Sequence, residues 1–385
     1  MTRVVRRAVL LAAGSGRRLQ PLTDKIPKCL VEVGGEAIVE RALRVLSSQG
    51  ITEAVIVIGH CGDAVRERLG THFAGVAISY VEAPDYATTN NIRSLWDART
   101  ALDRDLLLIE ADLVFDAGVI AALLAASGSS AAVVSVDRAP PGSKVLLGSA
   151  NEVTRFILDG DNTGSEAGGG DIYKTANIYL LREKLLVDCI VPRLAHAIAG
   201  GHVDRYYESV FRDLVQDGSM TDLGAVDVSA FRWYEIDDRR DLDVAEFLLL
   251  DRDEQFDRVQ RLHGSYWRYG IADHSYMSNM YFPPGELMAD LKAHLASVVA
   301  SYPVGQEELA RLAGQFTGAN PDCLAVANGT CELIKVLAGG AMRRPTIPTP
   351  AFNEYESVVA GNELNRFPLD PQTFELDVEP SRGRR

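Results

Sequence analysis

The sequence has no paired cysteines, no apolar run long enough to cross a bilayer and no surplus of positive charge. The five cysteines of the 385-residue chain, Cys29, Cys61, Cys189, Cys323 and Cys331, are odd in number and scattered. Lacking paired-ligand spacing, they form neither a disulfide frame nor a zinc site and read as reduced thiols. The first residues are basic, but the apolar residues after them meet a glycine turn too soon for a signal-peptide core. No later stretch approaches the ~20 apolar residues of a membrane helix. A cytoplasmic protein without membrane insertion is expected. Lys and Arg number 39 against 53 Asp and Glu, a net charge of −14. That balance speaks against a nucleic-acid surface, which needs a basic face. It does not exclude a nucleotide site, where a few local cations and a metal suffice.

What is present suits a folded globular chain, with 47% hydrophobic and 24% charged residues. The length predicts two domains. Short apolar runs at 8–12, 54–58, 78–81 and 106–109 alternate with helical spacing at 36–48, 63–69 and 92–102. Strand–helix alternation implies an α/β fold with a mostly parallel sheet, helices on both faces, and ligands at the carboxyl ends of the strands. The pattern loosens from 142 to 170, with a glycine-rich loop at 164–170, and residues 242–262 read as one helix ended by Gly264. Helices at 286–300 and 306–317 and a strand at 323–327 follow. The expected division is a first domain at 1–245, a helical linker at 246–263 and a second domain at 264–385.

The loop after the first strand carries the chemistry. Residues 11–28 run Leu11, Ala12, Ala13, Gly14, Ser15, Gly16, Arg17, Arg18 and on to Pro27-Lys28. Gly14 and Gly16 let the backbone turn tightly and present N–H groups to an anion. Arg18 offers a forked donor to phosphate oxygens, and Lys28 a point charge fixed by the preceding proline. A dinucleotide fingerprint is excluded, because the third glycine and the acidic residue ending a second strand are missing.

This string resembles the signature of the sugar-phosphate and choline-phosphate nucleotidyltransferase superfamily, whose domain is Rossmann-like. The resemblance implies that Gly14, Gly16 and Arg18 hold a triphosphate and that Lys28 meets the α-phosphate. Carboxylates for magnesium follow two apolar stretches: Glu110-Ala111-Asp112, and Glu235-Ile236-Asp237-Asp238. Magnesium takes hard oxygen ligands, commonly one or two carboxylates plus substrate phosphates. The resemblance makes Asp112 and Asp237 the ligands, with Glu235 close by, and Asp238 reads as a solvated charge.

Thr89-Asn90-Asn91, followed by Ile92 and by Ser94-Leu95, is similar to the phosphocholine cytidylyltransferase branch and its 2-aminoethylphosphonate relatives. Thr89 or Asn90 can cap the helix that begins near Ile92, and either can also contact the nucleotide. Ala83 stands where the branch often has asparagine, and His60 where tyrosine is common. The resemblance puts Lys174 on the acceptor's phosphate or phosphonate. Tyr206, Tyr207 and Glu208 offer aromatic faces and a carboxylate to an ammonium group, or the tyrosines are core residues with polar tips. The implied reaction joins CMP from CTP to the acceptor and releases pyrophosphate. A sugar 1-phosphate acceptor is the near alternative.

From Gly264 onward the chain resembles the start of a class I/II, fold-type I aminotransferase of the histidinol-phosphate aminotransferase kind. Gly329, Thr330 and Cys331 match its pyridoxal-phosphate loop, and Phe352 matches the ring-stacking position. The only lysines beyond Gly264 are Lys292 and Lys335, and neither matches the Schiff-base position such enzymes need. A truncated or frameshifted segment is expected, inactive alone and taking pyridoxal phosphate only if completed. Its uncovered apolar edges would favour a homodimer or another partner. An aminotransferase with a regulatory nucleotide-binding domain is the alternative from another class.

Overall fold

The computed structural model describes residues 4–136, 141–158, 171–262, 267–272, 274, 279, 281–340, 344–358 and 364–375. Two compact units divide between His274 and Ser275.

The first unit is built on a large mixed sheet. Its strands lie in the order Val153–Ile157, Lys144–Leu147, Ile172–Leu181, Leu106–Glu110, Arg7–Ala12, Glu53–Ile58, Val76–Glu82, His72–Phe73. The four from Leu106–Glu110 to Val76–Glu82 run parallel; the first three are continuous buried runs, while Val76–Glu82 alternates buried and exposed residues at its start. A strand covered on both faces has no polar side. Ala8, Leu10 and Ala12 accordingly enter one core cluster, while Val9 and Leu11 enter the cluster on the opposite face. Truncating Leu10 to alanine in such a position costs about 2–5 kcal/mol.

The 142–170 stretch is more regular than its sequence suggests: Lys144–Leu147 and Val153–Ile157 pair antiparallel and add to the sheet. The glycine-rich 164–170 loop lies outside the described residues. The expected helix over 242–262 is two helices, Arg239–Leu249 and Arg252–Leu262. Leu250 is extended, and Asp251 and Glu254 exchange backbone-to-carboxylate hydrogen bonds of 3.1 and 2.9 Å. This reciprocal cap starts a new helix. Val259 and Leu262 then pack on Val244, Phe247 and Tyr269, which keeps the segment in the first unit and moves the division from 263 to 274.

The second unit holds the helices Gly285–Ala300, Gln306–Thr317 and Thr330–Gly340 and a parallel pair, Thr346–Thr349 with Asn365–Pro368. Residues 324–327 form no strand; an extended run with no paired neighbour has no ladder to join. No helix among the described residues is long and apolar enough to cross a membrane.

Candidate active site

The sheet reverses its order at the Arg7–Ala12 strand, flanked by Glu53–Ile58 and Leu106–Glu110. A crevice opens at the carboxyl ends beside such a switch, and the glycine loop leaves from there. Leu11, Ala12 and Ala13 are buried. The carbonyls of Leu11 and Ala13 accept the Ala111 and His60 N–H groups at 3.1 and 3.2 Å. Gly14 has open space where a side chain would stand. Gly16 has φ +61°, and a Cβ there would lie 2.9 Å from Thr23 Cγ2. Thr23 Oγ1 donates to Gly16 O at 2.8 Å and folds the loop back on itself.

The carboxylates are joined by a small second sheet absent from the sequence reading. Leu113–Phe115 pairs antiparallel with Trp233–Glu235, and Ile236 N donates to Asp112 O at 3.0 Å. Asp112, Glu235 and Asp237 therefore meet despite their separation in the chain. Lys28 Nζ sits between two of them, 2.7 Å from Asp112 Oδ2 and 2.9 Å from Asp237 Oδ1. Arg18 Nη2 lies 2.8 Å from the same Asp237 oxygen. Burial alone would lower the Lys28 pKa, but the charges of Asp112 and Asp237 overcome it and raise it. Burial alone would raise Asp237, and Lys28 and Arg18 bring it below its ordinary value.

Glu235 faces a different cation. Its Oε2 accepts from Lys174 Nζ at 2.8 Å and its Oε1 from Asn177 Nδ2 at 3.2 Å. Lys174 is 1% exposed and also lies 5.3 Å from the centre of the Trp233 ring. Burial raises the Glu235 pKa against the pull of Lys174. Among the described residues, three carboxylates have oxygens within 4.8 Å of one another: Glu110, Asp112 and Glu235. Asp237 is tied to this group through Lys28. Glu110 was missed as a site residue, although i, i+2 spacing puts it on the same side of an extended chain as Asp112. Burial, followed by the charges of Glu208, Asp112 and Glu235, pushes its carboxyl well above the usual range. Asp112 Oδ1 is buried with no hydrogen-bond partner. An unsatisfied buried carboxylate oxygen of Asp112 beside Glu235 and the lysine-held Asp237 is a donor set that fits a hard divalent cation.

Asn90 is the residue that caps the helix Asn91–Asp97, accepting from Asn91 N at 2.8 Å, while Thr89 Oγ1 donates to Asp85 O at 2.9 Å. Asp238 is no free surface charge: it caps Arg239–Leu249, accepting from Arg240 N and Asp241 N. Tyr206 is exposed, whereas Tyr207 is wholly buried and packs edge-on against Tyr179 and Phe211. Glu208 is buried at the start of the helix Glu208–Gln216.

In the second unit Gly329 has φ +79° and precedes the helix holding Thr330 and Cys331. Asn328 N at that turn donates to Glu332 Oε2 at 2.7 Å, so a carboxylate already occupies one N–H of the loop. Phe352 is exposed and meets Tyr355 edge-on. Lys292 and Lys335 are both exposed on helices, Lys335 on the helix whose start would hold the phosphate. These residues do not fit a pyridoxal-phosphate Schiff-base site.

A CMP-5'-(3-aminopropyl)phosphonate synthase of Streptomyces rubellomurinus is 38% identical over 97% of this chain and 59% of its own length. The chain thus spans little more than half of that relative. A 2-aminoethylphosphonate cytidylyltransferase of Lancefieldella rimae is 33% identical over 28% of this chain and 43% of its own. Among solved structures, a CTP:phosphocholine cytidylyltransferase from Streptococcus pneumoniae superposes with a TM-score of 0.52 at 22% identity. It covers 64% of this chain and 100% of that one, a likeness of fold. The family model described as the MobA-like NTP transferase domain matches residues 8–205, a span that holds the glycine loop, Lys28, Asp112 and Lys174, and the chain belongs to that family.

Proposed function

We propose that the first unit is a cytidylyltransferase that moves CMP from CTP to a small phosphonate or phosphate acceptor bearing an amino group, releasing pyrophosphate. The observation that carries this reading is the meeting of two cation–carboxylate sets at one sheet end. Lys28 and Arg18 stand on Asp112 and Asp237 beside the glycine loop, and Lys174 on Glu235 next to them. The likeness to a CMP-aminopropylphosphonate synthase supports the same choice of donor and acceptor.

An acceptor oxygen forms a bond to the α-phosphorus, and the α–β bridging P–O bond breaks with its electron pair leaving on pyrophosphate. The acceptor is already an anion at neutral pH, so the main hindrance is repulsion between two anions. The backbone N–H groups at Gly14–Gly16 and the Arg18 guanidinium receive the triphosphate. Lys28 keeps a fixed positive charge where donor and carboxylates converge, and Lys174 brings one to the acceptor. Held in place before reaction, such charges stabilise the transition state without reorganisation. Asp112, Asp237 and Glu235 are the residues that would hold magnesium, which when bound neutralises phosphate charge and polarises the α-phosphate.

Pyrophosphate release tests the reading, with CTP, UTP, dTTP and ATP crossed against 2-aminoethylphosphonate, phosphocholine, phosphoethanolamine and glucose 1-phosphate. Turnover with CTP and an amino-bearing acceptor, lost in Asp112→Asn, is expected. Turnover with glucose 1-phosphate alone would overturn the acceptor class, and silence of folded protein across the panel would overturn catalysis.

A further inference from the structure

We propose that Glu110, held in position by Asn91, is the anchor for a primary ammonium on the acceptor and selects it over a quaternary one. The inference rests on the cytidylyl-transfer reading and adds the residue that chooses within the acceptor class.

Asn91 uses both ends of its amide. Its Nδ2 donates to Glu110 Oε1 at 3.2 Å, and its Oδ1 accepts from Tyr207 N at 2.9 Å. The acceptor end is committed to a backbone N–H, so the donor end stays turned to Glu110 and fixes the carboxylate. Among the described residues no lysine or arginine pairs with Glu110: Lys28 is taken by Asp112 and Asp237, and Lys174 by Glu235. Glu110 is only half-buried and its oxygens adjoin those of Asp112 and Glu235, so it opens toward the reacting groups.

The second observation is a pair of stranded hydroxyls. Tyr179 and Tyr207 are both 0% exposed, their rings meet edge-on at 6.0 Å, and neither Oη has a hydrogen-bond partner. Burial, and then the charges of Glu208 and Glu110, hold both phenols well above their ordinary range. Buried hydroxyls left unpaired are costly, about 1–3 kcal/mol each, and a native site that keeps two of them beside the Glu110 carboxylate is shaped for a cation that donates hydrogen bonds. A primary ammonium has three N–H donors for the Glu110 carboxylate and phenolic oxygens. A trimethylammonium has none and would leave these acceptors unsatisfied, the situation in which hydrogen-bonding sites discriminate most strongly.

The test compares wild-type full chain, Glu110→Gln and Asn91→Ala with CTP and magnesium. Acceptors are 2-aminoethylphosphonate, ethylphosphonate and phosphocholine, and calorimetry of the two phosphonates adds a readout independent of turnover. Glu110→Gln should weaken 2-aminoethylphosphonate, in KM and in calorimetric affinity, at least tenfold. Ethylphosphonate affinity and the KM for CTP should hardly change. Asn91→Ala should move the same way by less, and it carries the test if Glu110→Gln fails to fold. Equal weakening of both phosphonates would make Glu110 merely structural. A raised magnesium requirement with unchanged amine preference would make it a metal ligand. Wild-type preference for phosphocholine would also overturn the proposal. If wild type binds 2-aminoethylphosphonate through Glu110 but turns nothing over, cytidylyl transfer fails and the ammonium site stands.

Discussion

Lys28 Nζ and Asp112 Oδ2 lie 2.7 Å apart, and the other oxygen of Asp112 is buried without a partner. One carboxylate thus serves a fixed cation on one side and keeps a free acceptor on the other. Asp112→Asn leaves the shape nearly intact but replaces the carboxylate with a neutral amide. Lys28→Ala removes the charge that joins Asp112 to Asp237. Each is expected to lower turnover on the order of a hundredfold or more, measured as pyrophosphate release by protein with unchanged circular dichroism. Chelation with EDTA should abolish release in wild type and magnesium should restore it. Wild-type rates in either variant would remove these residues from the reaction.

The Lys174–Glu235 pair lets stability be separated from the proposed acceptor role of Lys174. Lys174 Nζ is buried, with Glu235 Oε2 at 2.8 Å and the Thr175 carbonyl at 3.2 Å. Lys174→Met keeps the apolar stem over Trp233 but strands a buried carboxylate, a loss of about 3–5 kcal/mol. Adding Glu235→Gln should recover most of that stability, because the uncompensated charge is gone. It should not recover the acceptor KM. Urea denaturation and acceptor kinetics on the single and double variants check this; a double variant as unstable as the single one would contradict the account.

These two predictions show what the sequence carries and what it does not. The Arg7–Ala12 strand, the glycine loop, Lys28, Asp112 and Lys174 are legible because each is a local pattern: an apolar run, a turn, a charge at a strand end. The contacts between them are not local. Leu113–Phe115 is three residues long and finds its partner at Trp233–Glu235, so no periodicity announces it, although it brings Glu235 and Asp237 to Asp112. Glu110 stood inside a motif already singled out, yet its importance depends on Asn91 and Tyr207, which only the folded chain brings alongside. The break at Leu250 was readable in principle, since Asp251 and Glu254 have capping-box spacing. Continuous helical hydrophobic spacing on both sides concealed it.

Glu40, in the first turn of the helix Ile38–Ser48, gives a pH dependence away from the site. It accepts from Arg68 Nε at 2.7 Å and Nη2 at 3.1 Å, and from Ala37 N at 3.3 Å. The Arg68 hydrogen bond, opposed by burial, holds its carboxyl below the ordinary value. A lowered folded pKa means stability that is present above the unfolded pKa of about 4.3 and lost as pH falls through the folded value. Glu40→Gln should therefore have a lower Tm than wild type at neutral pH, with the gap closing in acid. A gap that stays constant from neutral to acid pH would mean that the ionised carboxylate is not what Arg68 recognises.

The five thiols should separate by burial. Cys29 is 2% exposed inside the main core cluster, and burial pushes its thiol up to about 12. The thiolate is the reactive form, so at pH 8 Cys29 lacks both the charge and the access that alkylation needs. Cys323 is exposed, while Cys61, Cys189 and Cys331 are half-buried. Iodoacetamide at pH 8, followed by peptide mass spectrometry, should label Cys323 early and leave Cys29 unmodified until urea unfolds the first unit. MgCTP, if it binds at the glycine loop, stabilises the folded state of that unit by mass action. It should then raise the urea concentration at which Cys29 becomes labelled and leave the Cys323 rate unchanged. Labelling of Cys29 in native protein at the Cys323 rate would show that the core beneath the site opens far more readily than its packing implies.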